Sequence, residues 1–374
     1  MALIEQPCCL FLRSLISVRE TLEKAPVNEK RPMDKFGRQI RSSQKWSRRD
    51  FLKILIAASG VLNCSLWLSG CGVKSPNAET FIGKGANYNE ELSSLIRAGF
   101  RELKINALEI KGKRILLKPN LVEPRRGAIH IITQPAVVQS AAEAFLSLGA
   151  SRVIVGEGSG HCRDTHLILE ESGFDNIFRD KRITFVDLNY DEFWVAPNVV
   201  RTANLKSFVF PQTLKQVDWI VSMPKLKTHH WAGVTLSMKN LFGAMPGIFY
   251  GWPKNVLHMI GITEAIIDIN STLRPHFAIV DGIVGMEGDG PIMGNPKEAG
   301  VIVMGRNLSA VDATCCRLMG VNPDKIRHLS KASGKLGPIK ERFIQQRGED
   351  WRSLRTDFLL LNNIEAHRGL RIRK

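Results

Sequence analysis

Cysteine is scarce in this chain, and no two cysteines have the spacing of a metal-binding or redox motif. Seven cysteines occur in 374 residues, and none of them forms a Cys-x-x-Cys pair. Cysteine-ligated zinc and iron–sulfur sites use such pairs, so neither is expected, and the spacing does not indicate a disulfide framework. Cys315 and Cys316 lie in a helical apolar pattern, which predicts that both are buried as small hydrophobic side chains.

The central part of the chain lacks an excess of charge of either sign. The formal net charge is +16, but residues 1–74 carry 13 Lys and Arg against 6 Asp and Glu, and residues 323–374 also carry 13 against 6. Residues 75–322 carry 26 against 24. A nucleic-acid-binding domain needs a basic face on its folded body, so no nucleic-acid partner is expected. The basic C-terminal stretch is predicted to be a solvated tail, with contact to anionic lipid headgroups as the alternative.

A long hydrophobic run is also missing near the N-terminus. The apolar run at 54–68 is interrupted by polar residues, and it is shorter than the roughly twenty apolar residues of a membrane span. Arg48 and Arg49 precede it in the sequence SRRDFLK, which is a twin-arginine export motif, so the pattern predicts a signal peptide. The sequence LSGC that ends at Cys71 has the form of a lipobox, in which the cysteine becomes a lipidated N-terminus.

These motifs predict an exported protein, either periplasmic or on the outer face of the cytoplasmic membrane and held there by a lipid anchor. Its expected partners are the twin-arginine translocase and, through the lipid, the membrane. We expect a leader at 1–71, an α/β domain at 80–322 and a basic extension at 323–374. Residues 1–32 match neither the signal nor the domain, and the context of Met33 suggests that translation begins there.

Short apolar strand patterns alternate with helical patterns along the body of the chain. The strand patterns lie at 114–117, 152–155, 183–186, 219–222, 277–280 and 301–304. Strands that are apolar throughout indicate a sheet that is covered on both faces. The predicted class is therefore α/β, with a largely parallel sheet, helices on both faces and a ligand site at the C-terminal edge of the strands.

Polar residues follow these strand patterns where each strand ends. They are Lys118, Asn120, Glu157, Asp187, Lys225, Lys227, His229 and Asp281. The loops at this edge of an open parallel sheet converge, and ligands bind there. We therefore predict that these side chains meet in one pocket, although lysines beside carboxylates also form ordinary loop ion pairs.

The basic and amide side chains of this set are suited to an anionic ligand such as phosphate or carboxylate. The predicted ligand-binding residues are Lys118, Asn120, Lys225, Lys227 and Asn240. Lys225 and Lys227 would point to one side of an extended segment, because alternate side chains of a strand share a face. His229 and His230 would point to opposite sides, so at most one of them is expected in the site.

The acidic side chains suggest two further roles. Asp281, Glu287 and Asp289 are oxygen ligands suited to a divalent cation. Glu157 is suited to proton transfer, and with His229 and Lys239 it forms the predicted catalytic set. The glycine-rich segment around Glu157 lacks the spacing of a dinucleotide-binding fingerprint, so no Rossmann cofactor is expected.

Four motifs in order resemble the domain-of-unknown-function family numbered 362, over about 113–320. They are Lys118-Pro119-Asn120, Pro224-Lys225-Leu226-Lys227-Thr228-His229, Ser237-Met238-Lys239-Asn240-Leu241-Phe242-Gly243, and Asp281-Gly282 followed by Glu287-Gly288-Asp289-Gly290-Pro291. The resemblance implies a prokaryotic α/β protein with no generally assigned reaction. Many members add a ferredoxin-like cysteine-rich segment, but this chain has no cysteine after Cys316, so a cluster is not expected.

Two functions of different classes remain open at this stage. The first is an envelope enzyme that acts on a small anionic substrate, with or without a divalent metal. Its lysines would neutralise the anion, and its carboxylates would bind a cation or move protons. The second is a non-catalytic lipoprotein, which would serve as a binding or redox-assembly accessory of a membrane complex.

Overall fold

In the computed structural model, a ten-stranded sheet organises the described residues, which are 77–85, 87–88, 91–123, 125–160 and 164–373. The twin-arginine motif, Met33 and the lipobox lie outside these residues. No helix in the described ranges is long and apolar enough to cross a membrane.

The strands alternate with helices along the chain. The strands are β1 (Ala78–Lys84), β2 (Arg114–Pro119), β3 (Arg152–Glu157), β4 (Ile183–Asp187), β5 (Phe193–Pro197), β6 (Ser207–Pro211), β7 (Trp219–Met223), β8 (Lys225–His229), β9 (Gly233–Val234), β10 (Phe277–Glu287), β11 (Asn295–Gly305) and β12 (Ile344–Gly348). The helices are α1 (Glu91–Glu102), α2 (Ala107–Ile110), α3 (Pro135–Ser147), α4 (Thr165–Ser172), α5 (Thr213–Gln216), α6 (Ser237–Asn240), α7 (Gly247–Tyr250), α8 (Asn255–Met259), α9 (Ile262–Leu273), α10 (Leu308–Leu318), α11 (Arg327–Ala332) and α12 (Trp351–Leu354). Short 3-10 helices lie at Asp175–Arg179, Leu241–Ala244, Pro323–Lys325, Glu341–Phe343 and Glu365–His367.

The sheet is mostly parallel, with an antiparallel strand toward one side. Its order is β12-β1-β11-β10-β7-β2-β3-β4, and β8 pairs with β10 and with β9. Strands β10, β7, β2, β3 and β4 run parallel to one another, whereas β11 is antiparallel to both β1 and β10. Strands β5 and β6 form a separate antiparallel pair.

Both faces of the sheet are buried under helices. Ile115 and Leu117 of β2 belong to one apolar cluster, together with residues of α1 and α3. Leu116, between them, belongs to a second cluster with residues of α9 and α10. Alternate side chains of a strand point to opposite faces, so each face has its own core. The predicted α/β class is confirmed, and Cys315 and Cys316 of α10 are fully buried free thiols, as predicted.

The C-terminal stretch is part of the fold, so the prediction of a solvated tail was wrong. Strand β12 pairs in parallel with β1, and the compact unit that contains the sheet runs on to the end of the chain. Phe358 and Leu370 are buried in the core. The net charge of this stretch did not indicate the packing, because its basic side chains lie toward the surface while these apolar residues are buried. Arg347, for example, pairs with Glu79 at 2.8 Å.

Removing the ring of Phe358 should test how firmly this segment is attached. The ring is fully buried against Gly285 of β10, where an added Cβ would lie 3.1 Å from the ring. Phe358→Ala should lower the free energy of unfolding by about 3–5 kcal/mol, measured by urea denaturation. The neighbouring Leu359 is 44% exposed, so Leu359→Ala should change it by about 0.5 kcal/mol or less. Equal losses for the two variants would contradict the attachment.

Candidate functional site

A cavity of about 240 Å³ lies at the carboxyl ends of β2 and β3, which is the edge expected from the sequence. Residues from β3, β8 and α6 contribute to its wall, as do the loops that follow β2 and α7. Its polar lining consists of Asn120, Glu157, Lys227, His229, His230, Thr235, Lys239, Asn240, Lys254 and His258. Its apolar lining includes Val122, Trp231, Phe242, Pro253, Pro291 and Ile292.

A buried ion pair forms the base of this cavity. Lys118 Nζ lies 2.8 Å from Glu157 Oε1 and 2.9 Å from Oε2. The same ammonium donates to the carbonyl of Pro119 at 2.7 Å and to Asn240 Oδ1 at 3.2 Å. Burial lowers the pKa of Lys118, and the carboxylate of Glu157 opposes that shift. The pair thus joins β2, β3 and α6 around one buried charge.

Both oxygens of Glu157 are already bound within the protein. Besides Lys118, Oε2 accepts the backbone N–H of Leu121 at 2.8 Å, and Oε1 accepts that of Gly158 at 2.9 Å. The predicted catalytic role of Glu157 would require these partners to separate. Its contacts instead indicate a structural role, which is to compensate the charge of Lys118.

Two glycines allow the backbone to close over this ion pair. The N–H of Gly158 donates to the carbonyl of Gly243 at 2.8 Å. A Cβ at Gly243 would lie 2.6 Å from Lys118 Nζ and closer still to Glu157 Oε1. A Cβ at Gly158 would lie 2.8 Å from the carbonyl oxygen of Gly243, so neither position has room for a side chain.

Lys225 and Asp281 form a second buried pair, away from the cavity wall. Parallel pairing of β8 with β10 places them in register, and Lys225 Nζ lies 2.6 Å from Asp281 Oδ2. Tyr88 Oη donates to Asp281 Oδ1 at 3.0 Å, and the N–H of Gln134 donates to Oδ2 at 3.0 Å. Burial raises the pKa of Tyr88, and the charge of Asp281 adds to this effect. Lys225 was predicted to bind the ligand, but it is not among the residues that line the cavity, and Asp281 neutralises its charge.

Lys227 lines the cavity, but its ammonium hydrogens are already donated. Nζ lies 2.7 Å from Asn120 Oδ1, 2.9 Å from the carbonyl of Ile131 and 3.1 Å from that of Pro291. All three acceptors are neutral. Burial therefore lowers the pKa of Lys227 well below its ordinary value, and the neighbouring lysines, led by Lys225, add to this effect. Lys225 and Lys227 were predicted to point at a single anion, but their ammonium groups have different partners and only Lys227 lines the cavity.

Lys239 is the lysine of the cavity that lacks a polar partner. Its Nζ lies 4.1 Å from the centre of the Phe242 ring, and within the described part of the chain it makes no hydrogen bond or ion pair. Burial and the nearby Lys118 lower the pKa of Lys239 to about 7, although Glu157 acts in the opposite direction. Its cationic form is therefore poorly compensated by the protein itself.

A buried carboxylate holds Lys239 in this position. Asp312 of α10 accepts the backbone N–H groups of Ser237 and Met238, at 2.7 and 3.0 Å, where α6 begins. Burial raises the pKa of Asp312 to about 7. Sequence reasoning missed this residue because it lies inside an apolar helix pattern, with no motif around it.

Lys254 is a further cation that the sequence analysis missed. It is buried, and its Nζ donates to Asn189 Oδ1 at 2.5 Å. Burial lowers its pKa to about 8, with Glu157 opposing. Its backbone has a φ of 70°, which is rare for a residue with a side chain. The lysine is far from the strand ends in sequence, so the strand pattern gave no reason to select it.

Two imidazoles of the cavity have complementary hydrogen-bonding nitrogens. His229 Nδ1 accepts the N–H groups of Trp231 and Ala232, at 3.0 and 3.3 Å, so the hydrogen of its neutral ring is on Nε2. His258 Nδ1 lies 3.0 Å from the carbonyl of Lys254 and must donate to it, which leaves Nε2 as an acceptor. Burial lowers the pKa of both rings, that of His258 to about 4, and Lys239 adds to the shift.

Two of the predictions about neighbouring residues need correction. His229 and His230 both line the cavity, because β8 ends at His229 and the chain turns there. The carboxylates Asp281, Glu287 and Asp289 do not form the predicted metal site. Glu287 Oε2 lies 3.5 Å from Lys297 Nζ, and Asp289 Oδ1 lies 3.7 Å from His230 Nδ1.

A second observation bears on metal binding. Nowhere in the described ranges do three His, Cys, Asp or Glu side chains come together as a metal-ligand group. Asp281 is enclosed by Lys225 and Tyr88, so its oxygens face their partners and not a shared centre.

Asn120 and Asn240 connect the cations of the site to one another. Asn240 Oδ1 accepts from Lys118 Nζ and from Asn120 Nδ2, both at 3.2 Å. Asn240 Nδ2 donates to the carbonyl of Lys118 at 2.9 Å, while Asn120 Oδ1 accepts from Lys227. The structure thus brings together Lys118, Asn120, Glu157, Lys227, His229, Lys239 and Asn240 among the predicted site residues.

A protein-family model supports the resemblance of the motifs. The model for the domain of unknown function DUF362 matches residues 115–317. The chain belongs to this family. The matched DUF362 region contains all the cavity-lining residues, from Asn120 to Ile292, as well as Lys118 and Asp312.

Three individual proteins are similar to this DUF362 chain at low sequence identity. A thylakoid-associated protein of Synechocystis sp. is 26% identical over 234 residues, which are 60% of this chain and 68% of the relative. A crystal structure of a Thermotoga maritima protein is 12% identical with a TM-score of 0.39, over 62% of this chain and 59% of the other. The lactate racemase apoprotein of Thermoanaerobacterium thermosaccharolyticum is 12% identical with a TM-score of 0.38, over 65% and 57%. The chain thus spans less than two thirds of each of these two structures.

Loss of the Glu157 charge should destabilise this DUF362 protein. Glu157→Gln keeps the size of the side chain but leaves the buried ammonium of Lys118 without its carboxylate. We expect a loss of about 3–5 kcal/mol in the free energy of unfolding, measured by urea denaturation. Glu264 pairs at 2.6 Å with Lys331, whose side chain is 57% exposed, so the control Glu264→Gln should cost about 1 kcal/mol or less. A loss for Glu157→Gln no larger than the control's would show that the buried pair is not needed.

Proposed function

We propose that this protein binds a small anionic ligand, a phosphate or a carboxylate, in the cavity above β2 and β3. The observation that carries the proposal is the excess of cations around that space. Lys227, Lys239 and Lys254 line it and Lys118 lies directly behind it, whereas Glu157 is the one carboxylate among the lining residues. An anion in the cavity would compensate charges that the protein leaves in excess.

Lys239 is the residue to which the anion would bind. The other three lysines donate to protein acceptors, whereas its ammonium faces only an aromatic ring. Its lowered pKa reflects the cost of holding this charge without a partner, and a bound anion would raise that pKa again. The hydrogen on His229 Nε2 offers a second donor from the same wall.

The volume of the cavity limits the size of the bound group. Pockets that enclose drug-sized ligands measure roughly 300–1,000 Å³, and this cavity has about 240 Å³. It suits a phosphate or carboxylate with a few attached atoms. The ring walls of Trp231, Phe242 and His258 favour an apolar or planar attachment next to the charge.

The two imidazoles would supply acid–base chemistry if the bound ligand reacts. His258 presents an acceptor nitrogen and His229 a donor, and the lowered pKa of each keeps both rings neutral at pH 7. This arrangement matches a base and a hydrogen-bond donor acting on one ligand. A divalent cation fits the lining less well, because Glu157, the one carboxylate of the lining, is already bound by Lys118.

Titration of the purified protein with benzoate and phosphate by isothermal calorimetry tests the proposal. Lys239→Met should weaken both by at least about tenfold, because it removes the uncompensated ammonium. The control Lys215→Met removes an equal charge from an exposed lysine over the Trp194 ring and should leave affinity unchanged. The proposal would be refuted if neither anion binds, or if Lys239→Met binds them as tightly as the unsubstituted protein does.

The pH dependence of benzoate binding provides an independent measure. Lys239, with a pKa of about 7, is cationic below that pH and neutral above it. Benzoate keeps its charge throughout, so its affinity should fall as pH rises through 7 and fall further as Lys254 loses its proton at about pH 8. In Lys239→Met the first decrease should disappear. An affinity that is constant between pH 6 and 8 in the unsubstituted protein would contradict the role of Lys239.

We also propose that the protein is associated with a membrane through a lipid on Cys71. Support comes from the lipobox sequence and from the relative described as thylakoid-associated. In fractionated cells the protein should sediment with membranes and be released by detergent, whereas Cys71→Ala should remain in the supernatant. Cys64→Ala, which alters a cysteine outside the lipobox, serves as control. Membrane sedimentation of Cys71→Ala equal to that of the control would refute the lipid anchor.

A further inference from the structure

A second, wider cavity adjoins the mouth of the first. We call it the outer groove, and its wall includes Lys325, Arg327 and Arg368 from the C-terminal part of the chain. It has a volume of about 750 Å³ and shares three wall residues, His230, Trp231 and His258, with the inner cavity. A ligand that extends past these three side chains would occupy both spaces.

The outer groove has its own excess of positive charge. Lys325, Arg327 and Arg368 are all exposed, and in the part of the chain that the structure describes none of them makes an ion pair. Arg368 donates its Nε to the carbonyl of Asn362 at 2.8 Å, which leaves its two terminal nitrogens available. Glu365 is the single acidic residue in this wall.

The boundary between the two spaces is aromatic and firmly held. Trp231 is 57% exposed, which is unusual for so large an apolar ring. His230 packs against it edge to face at 4.7 Å and His258 at 4.9 Å, so two imidazoles fix its orientation. A flat apolar surface therefore lies between the cation of the inner cavity and the cations of the outer groove.

We infer that the natural ligand has two anionic ends joined by an apolar or planar middle section. One end would bind at Lys239 in the inner cavity. The other would bind in the outer groove at Lys325, Arg327 and Arg368, with the middle section against Trp231. This inference rests on the proposed function, and it extends that function from a small anion to a class of elongated dianions. Linear dicarboxylic acids and phosphorylated carboxylic acids are members of that class.

Two series of simple acids test this inference on the whole protein. Linear dicarboxylates of four to ten carbons and monocarboxylates of the same lengths are titrated at pH 6.5 and constant ionic strength. We expect dicarboxylates to bind at least about tenfold more tightly than their matched monocarboxylates at one optimal length, because only they reach both groups of cations. The fluorescence change on binding should be reduced in Trp231→Phe.

Substitutions in the outer groove should separate the two ends of the ligand. Arg327→Gln combined with Lys325→Gln should abolish the advantage of dicarboxylates and leave monocarboxylate affinity within about twofold. Lys239→Met should weaken both series. Arg97→Gln combined with Lys84→Gln removes the same charge from α1 and β1, where both side chains are exposed, and should have no effect.

The possible outcomes distinguish this inference from the proposed function. If monocarboxylates bind through Lys239 and a second carboxylate adds nothing at any length, the two-ended ligand is refuted and anion binding stands. The same conclusion follows if the dicarboxylate advantage persists in the Arg327 and Lys325 double variant. If neither series binds, the two-ended ligand is refuted, and if phosphate also fails to bind, the proposed function is refuted with it.

Discussion

The buried ion pair between Lys118 and Glu157 is the interaction on which the rest of the site depends. Lys118 comes from the end of β2 and Glu157 from the end of β3, and Asn240 brings α6 to the same ammonium. Taking a charge out of water is costly unless it is paired and hydrogen-bonded, so these three segments must meet with correct geometry. The glycine at 243 permits that approach, because any side chain there would displace the pair.

Several lysines surround this neutral pair, and the protein compensates their charges to different degrees. Lys225 has a carboxylate partner, Lys227 has three neutral acceptors, and Lys239 has only an aromatic ring. All three ammonium groups are desolvated, so the partner of each one decides which remains available to bind a ligand. Asp312 keeps Lys239 in place by binding the backbone of α6, without neutralising its charge.

Much of the fold followed from local patterns in the sequence. Strands such as Arg152–Glu157 are short apolar runs, and a run that is apolar on both faces is stable only between two layers of helices. Strand β12, with the sequence IQQRG, has no such pattern and forms because β1 offers an unpaired edge. The polar residues at the strand ends pointed to the correct edge of the sheet, since chain direction alone places those ends together.

What the sequence by itself determined is therefore the layered α/β architecture, the edge that bears the site with Glu157 at a strand end, and the family motifs that supply Lys118, His229 and Lys239. Tertiary structure alone decided which charges cancel. Lys225 is neutralised because β8 and β10 pair in one register, and Lys254 and His258 enter the cavity from a segment with no strand pattern. Charge compensation acts over a few ångströms between residues far apart in the chain, and local patterns carry no information about such distances.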